Sequence, residues 1–434
     1  MTEENKNRIA AINIGIIPKD YKKTKVGIVP VEWEMIKLNN ISRHITEKNK
    51  DMKYNETYTN SATQGIIKQT DYFDKQISNA DNIDGYYIVR QNDYVYNPRI
   101  SVSAPCGPIS KSHFSETGIM SPLYTVFRLN DEYGNNDYIE HYFKSSFWHR
   151  YMSSVANYGV RHDRMNITNE DLFNMPIPFP PLPEQQKIAE ILSTQDKLIE
   201  LYERKIEQLK TLKKGYLQKM FPKKGCKYPE LRFKGFTEPW EQRKLGEVTQ
   251  RVQGNDGRMS LPTLTISAGS GWLDQRDRFS ANIAGKEQQN YTLLHKGELS
   301  YNHGNSKLAK YGTVFSLRTH EEALVPRVYH SFKVTEKADS DFIEYVFATK
   351  FPDKELSKLI SSGARMDGLL NINYDEFMGI KIIMPSIEEQ QQIGAYFRNL
   401  DNLITLHQHK LDKEKQKKKA LMQLLLTGKV RVST

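Results

Sequence analysis

Cysteine is nearly absent. Cys106 and Cys226 are the only two in 434 residues, one in each half, so neither a disulfide framework nor a cysteine-rich metal site can be built. A reduced, cytoplasmic setting fits that usage. No apolar run approaches the roughly 20 residues that a membrane span needs. The opening MTEENKNRIA has no apolar core and reads as a polar arm over residues 1–25, not as a signal peptide. Catalytic signatures are missing too: there is no G-x-x-x-x-G-K-[ST] loop, no H-E-x-x-H and no C-x-x-C. Gly269-Ser270-Gly271 lacks the later glycine of a dinucleotide loop. Asn97-Pro98-Arg99 starts like an amino-methyltransferase motif but lacks the second proline and the aromatic. His162, His303 and His407 have no acid or nucleophile at a meaningful spacing. What is abundant is positive charge, +10 net with a pI near 9.1, which favours polyanionic partners and nucleic acid first.

The chain also says nearly the same thing twice. PLPEQQKIAEIL at 181–192 returns as SIEEQQQIGAYF at 386–397, a shift of about 205 residues. The shift carries Glu184-Gln185-Gln186 onto Glu389-Gln390-Gln391, Asp196 onto Asp401 and Lys205 onto Lys410. Upstream, Trp33-Glu34 echoes in Trp240-Glu241 and Tyr96-Asn97 in Tyr301-Asn302. So long a period is no solenoid. It reads as two copies of a globular part followed by a long helix, an α+β chain with globular units over 26–180 and 228–385. DNA readers use such symmetry to grip two half-sites.

Within the first unit, short β-rich runs (Tyr86–Val89, Tyr94–Tyr96, Leu123–Phe127) are separated by Gly, Pro and Asn, the mark of strands. A helical stretch follows near 137–155. The prolines of 176–183 predict a stiff extended entry outside any sheet. From 184 to 221, Leu192, Ile199, Tyr202, Ile206, Leu209, Tyr216 and Met220 recur at alternating steps of three and four, interrupted by Gln195 and Lys213. That is a heptad seam. Shifted by 205 it falls on Phe397, Leu400, Ile404, His407, Leu411, Glu414, Lys418, Leu421 and Leu425, a seam with polar breaks. Half-apolar helices of this length do not stand alone in water. The order of the elements predicts that the two, over 183–222 and 387–428, pack antiparallel on each other.

Three polar loops recur in matching places. The first is Ser61–Gly65 with Lys68, against Ser267–Gly271. The second is Asn97–Ser101 against Asn302–Lys307, and the third Gly159–Arg164 against Gly363–Asp367. Arginine forks guanine, Gln and Asn fork adenine, and Ser or Lys hold phosphate. The residues expected to touch DNA are therefore Thr63, Gln64, Lys68, Asn97, Arg99, Ser101, Arg161 and Arg164 in one unit. In the other they are Ser267, Ser270, Asn302, His303, Asn305, Lys307, Lys310 and Arg365.

IPKDYKKTKVGIVPVEWEMIKL, YPELRFKGFTEPWEQRKLGEV, FPPLPEQQKIAEILSTQDKLI and MPSIEEQQQIGAYFRNLDNLI resemble the specificity subunit of type I restriction–modification systems. So do the helix ends LKKGYLQKMFPKK and KKKALMQLLLTGKVRV, and the likeness covers almost the whole chain. The resemblance implies two target-recognition domains separated by two antiparallel conserved helices, and no catalysis by this chain. It implies that each domain reads half of a split, asymmetric site on double-stranded DNA, with the helices setting the unread spacer. Glu184, Gln185, Gln186, Glu389, Gln390 and Gln391 would then face two modification subunits. Restriction subunits would join them. S-adenosylmethionine, ATP and Mg are expected on those partners, none on this chain and none at a membrane. Ser386-Ile387-Glu388 stands where the first copy has Pro181-Leu182-Pro183, so the second hinge should be less stiff. Two rivals differ in class. A self-contained restriction or modification enzyme would need a motif the sequence lacks. A coiled-coil DNA-bridging or scaffold protein would bind without sequence preference.

Overall fold

The computed structural model describes residues 2–72, 83–130, 134–156, 163–279, 285–304, 306–360 and 370–432. Two compact units divide the chain: Met1–Leu201 with Leu411–Thr434, and Tyr202–Lys410. The long helices Leu182–Lys219 and Ile387–Leu425 run unbroken through that division, so each unit owns the start of one helix and the end of the other.

In the first unit a four-stranded sheet runs in the order Ser42–His44, Thr125–Leu129, Tyr94–Tyr96, Ile109–Lys111. The second unit repeats it as Thr249–Arg251, His330–Val334, Leu299–Asn302, Thr313–Ser316. Hairpins also correspond: Thr57–Ser61 with Gly65–Lys68, and Leu264–Ser267 with Gly271–Asp274. The first hairpin is extended to a second four-stranded sheet by Gly118–Met120 and Tyr87–Val89. In the other unit the equivalent strands Thr292–His295 and Glu322–Val325 pair with each other and meet the hairpin through an isolated parallel bridge, Thr263 with Leu324. The helical stretch expected near 137–155 splits into Asn136–Phe143 and His149–Val155. The segment expected to be a loose arm carries a helix, Glu3–Asn13, capped by Thr2, and a hairpin, Tyr21–Thr24 with Gly27–Pro30.

One expectation fails outright. Pro176–Phe179 is a strand, paired antiparallel with Glu34–Lys37. The sheet has only two strands, so each is an edge, and an edge tolerates a proline that donates nothing. Pro176 and Pro178 alternate with Ile177 and Phe179, leaving every second amide free to pair.

The first core gathers Trp33, Tyr94, Phe127, Tyr138, Tyr142 and Trp148 with Leu192 and Leu425, one from each long helix. The second gathers Trp240, Tyr301, Phe332, Phe342 and Tyr345 with Leu209, Phe397 and Leu400. The helices pair antiparallel inside each unit, and the polar breaks in their seams are all partnered across the pair. In the first unit Lys418 pairs with Asp196, and Gln195 Nε2 donates to Glu414 Oε2 at 2.6 Å. In the second, Lys213 pairs with Asp401 at 2.6 Å. Since 196 and 213 shift onto 401 and 418, this is one ion pair made twice. Gln195 and Glu414 shift onto Leu400 and Leu209, so the second unit fills those positions with leucine.

Candidate nucleic-acid interface

Each candidate loop is held by its own backbone. In the first unit Asn97 Nδ2 donates to Asn60 O at 2.9 Å, and its Oδ1 accepts from Arg99 N at 3.0 Å. In the second, Asn302 Nδ2 donates to Ile266 O at 3.2 Å and Oδ1 accepts from Gly304 N at 3.0 Å. Both asparagines, expected to read bases, are therefore braces whose polar atoms are engaged. Each ties its loop to the end of the neighbouring hairpin strand.

Beyond the brace comes a four-residue turn. Ser101 Oγ accepts from Ala104 N at 3.1 Å, and Ser306 Oγ accepts from Ala309 N at 3.1 Å. The loop closes at Gly107 (φ +74°) and Gly312 (φ +80°), where an added Cβ would stand 2.0 Å from Asn97 O and 2.5 Å from Asn302 O. Only glycine suits both the left-handed backbone and the close approach.

The first unit joins its second loop to its third. Ile100 N donates to Asp163 O at 3.0 Å and Met165 N to Pro98 O at 2.9 Å, so Arg99 and Arg164 face each other across an isolated antiparallel bridge. Arg99 is exposed and Arg164 half-buried. Thr63 and Gln64 lie exposed on the hairpin turn before Gly65 (φ +70°). They share a cavity of about 780 Å³ with Ser103, His113, Lys144, Lys418 and Lys419. Lys68 is already paired with Glu56 at 2.9 Å and Glu116 at 3.6 Å. The hydrogen bond with Glu56 first, then the charges of Glu56 and Glu116, raises its pKa.

In the second unit Ser270 is exposed and Ser267 half-buried on the matching hairpin turn, and Lys307 and Lys310 are exposed. His303 is 8% exposed, its ring 5.0 Å from that of His330 and 6.0 Å from that of Tyr301, and it lines a cavity of about 690 Å³ with Arg251, His330 and Tyr374. Arg161, Asn305 and Arg365 lie outside the described residues. Sequence reading missed the turn tips Val102, Ser103 and Leu308. Their signal was Ser-x-x-Ala, at 101–104 and again at 306–309.

In the Glu-Gln signature, Glu184, Gln185, Glu389 and Gln390 are each 1% exposed and bonded within their own unit, while Gln186 and Gln391 are exposed. Gln185 Oε1 accepts from Asn135 N at 2.8 Å, and Gln390 Oε1 from Asp339 N at 3.1 Å. Asn135 and Asp339 are the N-caps of the helices Asn136–Phe143 and Ser340–Ala348. Glu184 takes Trp33 Nε1 at 3.0 Å and Arg431 Nε at 2.7 Å; Glu389 takes Arg232 at 2.8 and 2.7 Å. The arginine comes each time from the chain beyond the end of the other long helix. The repeated dipeptide therefore fastens the reading domain to the helix pair. Partners so distant in sequence could not be seen in it.

These features agree with what the chain resembles. The model of the type I restriction modification DNA specificity domain matches residues 30–211 and again 237–415. The MjaVIII type I restriction enzyme specificity subunit of Methanocaldococcus jannaschii is 29% identical over 64% of this chain and 67% of its own length. The putative MjaX specificity subunit of the same organism is 26% identical over 96% and 98%. Among solved structures, a type I restriction–modification S subunit from M. genitalium superposes with a TM-score of 0.56 at 15% identity, covering 93% of this chain and 96% of its own. A chain from a type I R-M system solved for its complex assembly and conformational transition gives 0.51 at 14%, covering 93% and 99%. With one copy of the specificity domain in each half, the chain belongs to the type I restriction–modification DNA specificity family, as a DNA-recognition subunit and not an enzyme.

Proposed function

We propose that each unit reads one half of a split DNA site through its hairpin turn, its braced loop and, in the first unit, the strand end at Arg164. The observation that carries this is a repeated frame with unlike contents. The braces Asn97 and Asn302, the caps Ser101 and Ser306 and the closing glycines recur. The exposed positions differ: Thr63-Gln64 against Gly269-Ser270, Arg99 against Gly304, Val102-Ser103 against Lys307-Leu308. Two units with one scaffold and different reading residues recognise two different half-sequences. The long helices set the unread spacer and offer their outer faces, Gln186 and Gln391 included, to two modification subunits that carry S-adenosylmethionine. Restriction subunits with ATP and Mg join that core. The setting is the cytoplasm.

The test is Arg99→Ala in the chain assembled with its modification subunits. A bidentate arginine–guanine contact is worth about 1–3 kcal/mol. Mapping the methylated sites should show one base position relaxed in one half and the other half unchanged. An unaltered motif, or changes in both halves, would refute the assignment.

A further inference from the structure

The tips of the two braced turns carry apolar side chains in full solvent. Val102 is 106% exposed and Leu308 is 71% exposed, the two most exposed large hydrophobics among the described residues after Ile14 is set aside in its arm. Scattered exposed aliphatics need no explanation. These two are not scattered. Both stand between a capping serine and a buried alanine, Ala104 at 6% and Ala309 at 2% exposure, on a turn bonded to itself in both directions. The turn is closed below by a glycine that no other residue can replace without strain. The side chain is therefore presented by a rigid mount. Its surroundings are polar and basic: Arg99 and Arg164 in one unit, Lys307 and Lys310 in the other.

The order of the tip residues reverses between units. The first has apolar then polar, Val102-Ser103; the second has polar then apolar, Lys307-Leu308. Each turn thus offers one apolar and one hydrogen-bonding tip, in opposite arrangement. An apolar tip among cations gains nothing from phosphate or from base-edge donors and acceptors. In the major groove the apolar group it can meet is the C5-methyl of thymine.

We infer that Val102 and Leu308 are specificity-determining residues, each packing on a thymine methyl group in the half-site of its own unit. This rests on the reading of the braced loops as DNA contacts, and the experiment separates the two. The chain is assembled with its modification subunits, and affinity at fixed salt is measured for duplexes in which each thymine of the site is singly replaced by deoxyuridine. One buried methyl is worth about a fourfold change in affinity. Wild type should lose about that factor at one thymine in each half. Val102→Ala should erase the sensitivity in one half and keep it in the other; Leu308→Ala should do the reverse. Both positions are exposed, so neither variant threatens the fold. The inference is overturned if no thymine is sensitive to deoxyuridine, as for an apolar wedge in the minor groove, or if the sensitivity survives both substitutions. Arg99→Ala is the control: if it relaxes a base position while the tips show no methyl effect, the loop reads DNA and only the tip assignment falls.

Discussion

Glu140 and Glu344 occupy equivalent places, each in a helix packed on its sheet, and their environments part them. Burial raises the pKa of both. At Glu140, hydrogen bonds from His113 and Lys111 and the charge of Lys144 outweigh burial and hold the carboxyl below the usual range. Glu344 has Arg318 alone among side-chain partners, and its carboxyl stays above that range. Beside Glu140, His141 is 3% exposed. Burial first, then Lys144 and Lys418, pushes its pKa down to about 4. The folded value lies below the unfolded one of about 6.5, so the unfolded chain binds the proton first. His141 therefore contributes fully above pH 6.5, and that contribution drains away as pH falls toward 4. At 1.36 kcal/mol per unit it amounts to about 3 kcal/mol. Urea unfolding at pH 7 and pH 5 should show a shallower pH dependence for His141→Gln than for wild type. Equal slopes would rule this histidine out. None of this was legible in the sequence, because a histidine's burial depends on what packs over it. Gly107 and Gly312 stand one shift of 205 apart, but the close approach that requires them appears only in the folded loop.

The long helices were the most legible elements. Their seams repeat often enough for period alone to identify them, and the polar breaks at Gln195, Lys213, Glu414 and Lys418 were visible as breaks. What the sequence withheld was that Gln195 faces Glu414 while Lys213 and Lys418 face Asp401 and Asp196 beside the seam, since that needs the antiparallel register. The Pro176–Phe179 strand was misread because proline statistics describe central strands, and this one is an edge. The repeated ion pair offers a test of register. Asp196→Lys alone brings a lysine against Lys418 and should lower the thermal midpoint; adding Lys418→Asp restores an attractive pair and should recover most of the loss. With side-chain exposures of 36% and 16%, solvent screening limits the recovered coupling to about 1 kcal/mol. A double variant no better than the worse single one would mean that the two residues do not meet.

At the scale of the molecule, the two-copy organisation was plain from sequence, while the reading surface was only partly so. Loop positions were found by repetition, but the bracing bonds of Asn97 and Asn302 and the burial of His303 were not, since polarity alone does not show which side chains hold a loop together. In the proposed reading the spacer depends on helix length, because each long helix runs unbroken from one unit into the other. Tyr202 and His407, at positions that shift onto each other, meet with ring centroids 5.9 Å apart. Four residues inserted after Glu203 and four after Gln408 lengthen both helices there by about 6 Å and turn their far ends by roughly 40°. The ion pairs Asp196–Lys418 and Lys213–Asp401 each lie on one side of the insertion and are preserved. One base pair rises about 3.4 Å. Methylated sites in cells carrying the insertion with its modification subunits should keep both half-sequences and gain one or two base pairs of spacer. An unchanged gap at full methylation would show that something other than helix length sets the spacing. Co-purification of the modification subunits with the inserted chain establishes that assembly survives. An intact complex that methylates neither the old spacing nor the longer one would count equally against the ruler.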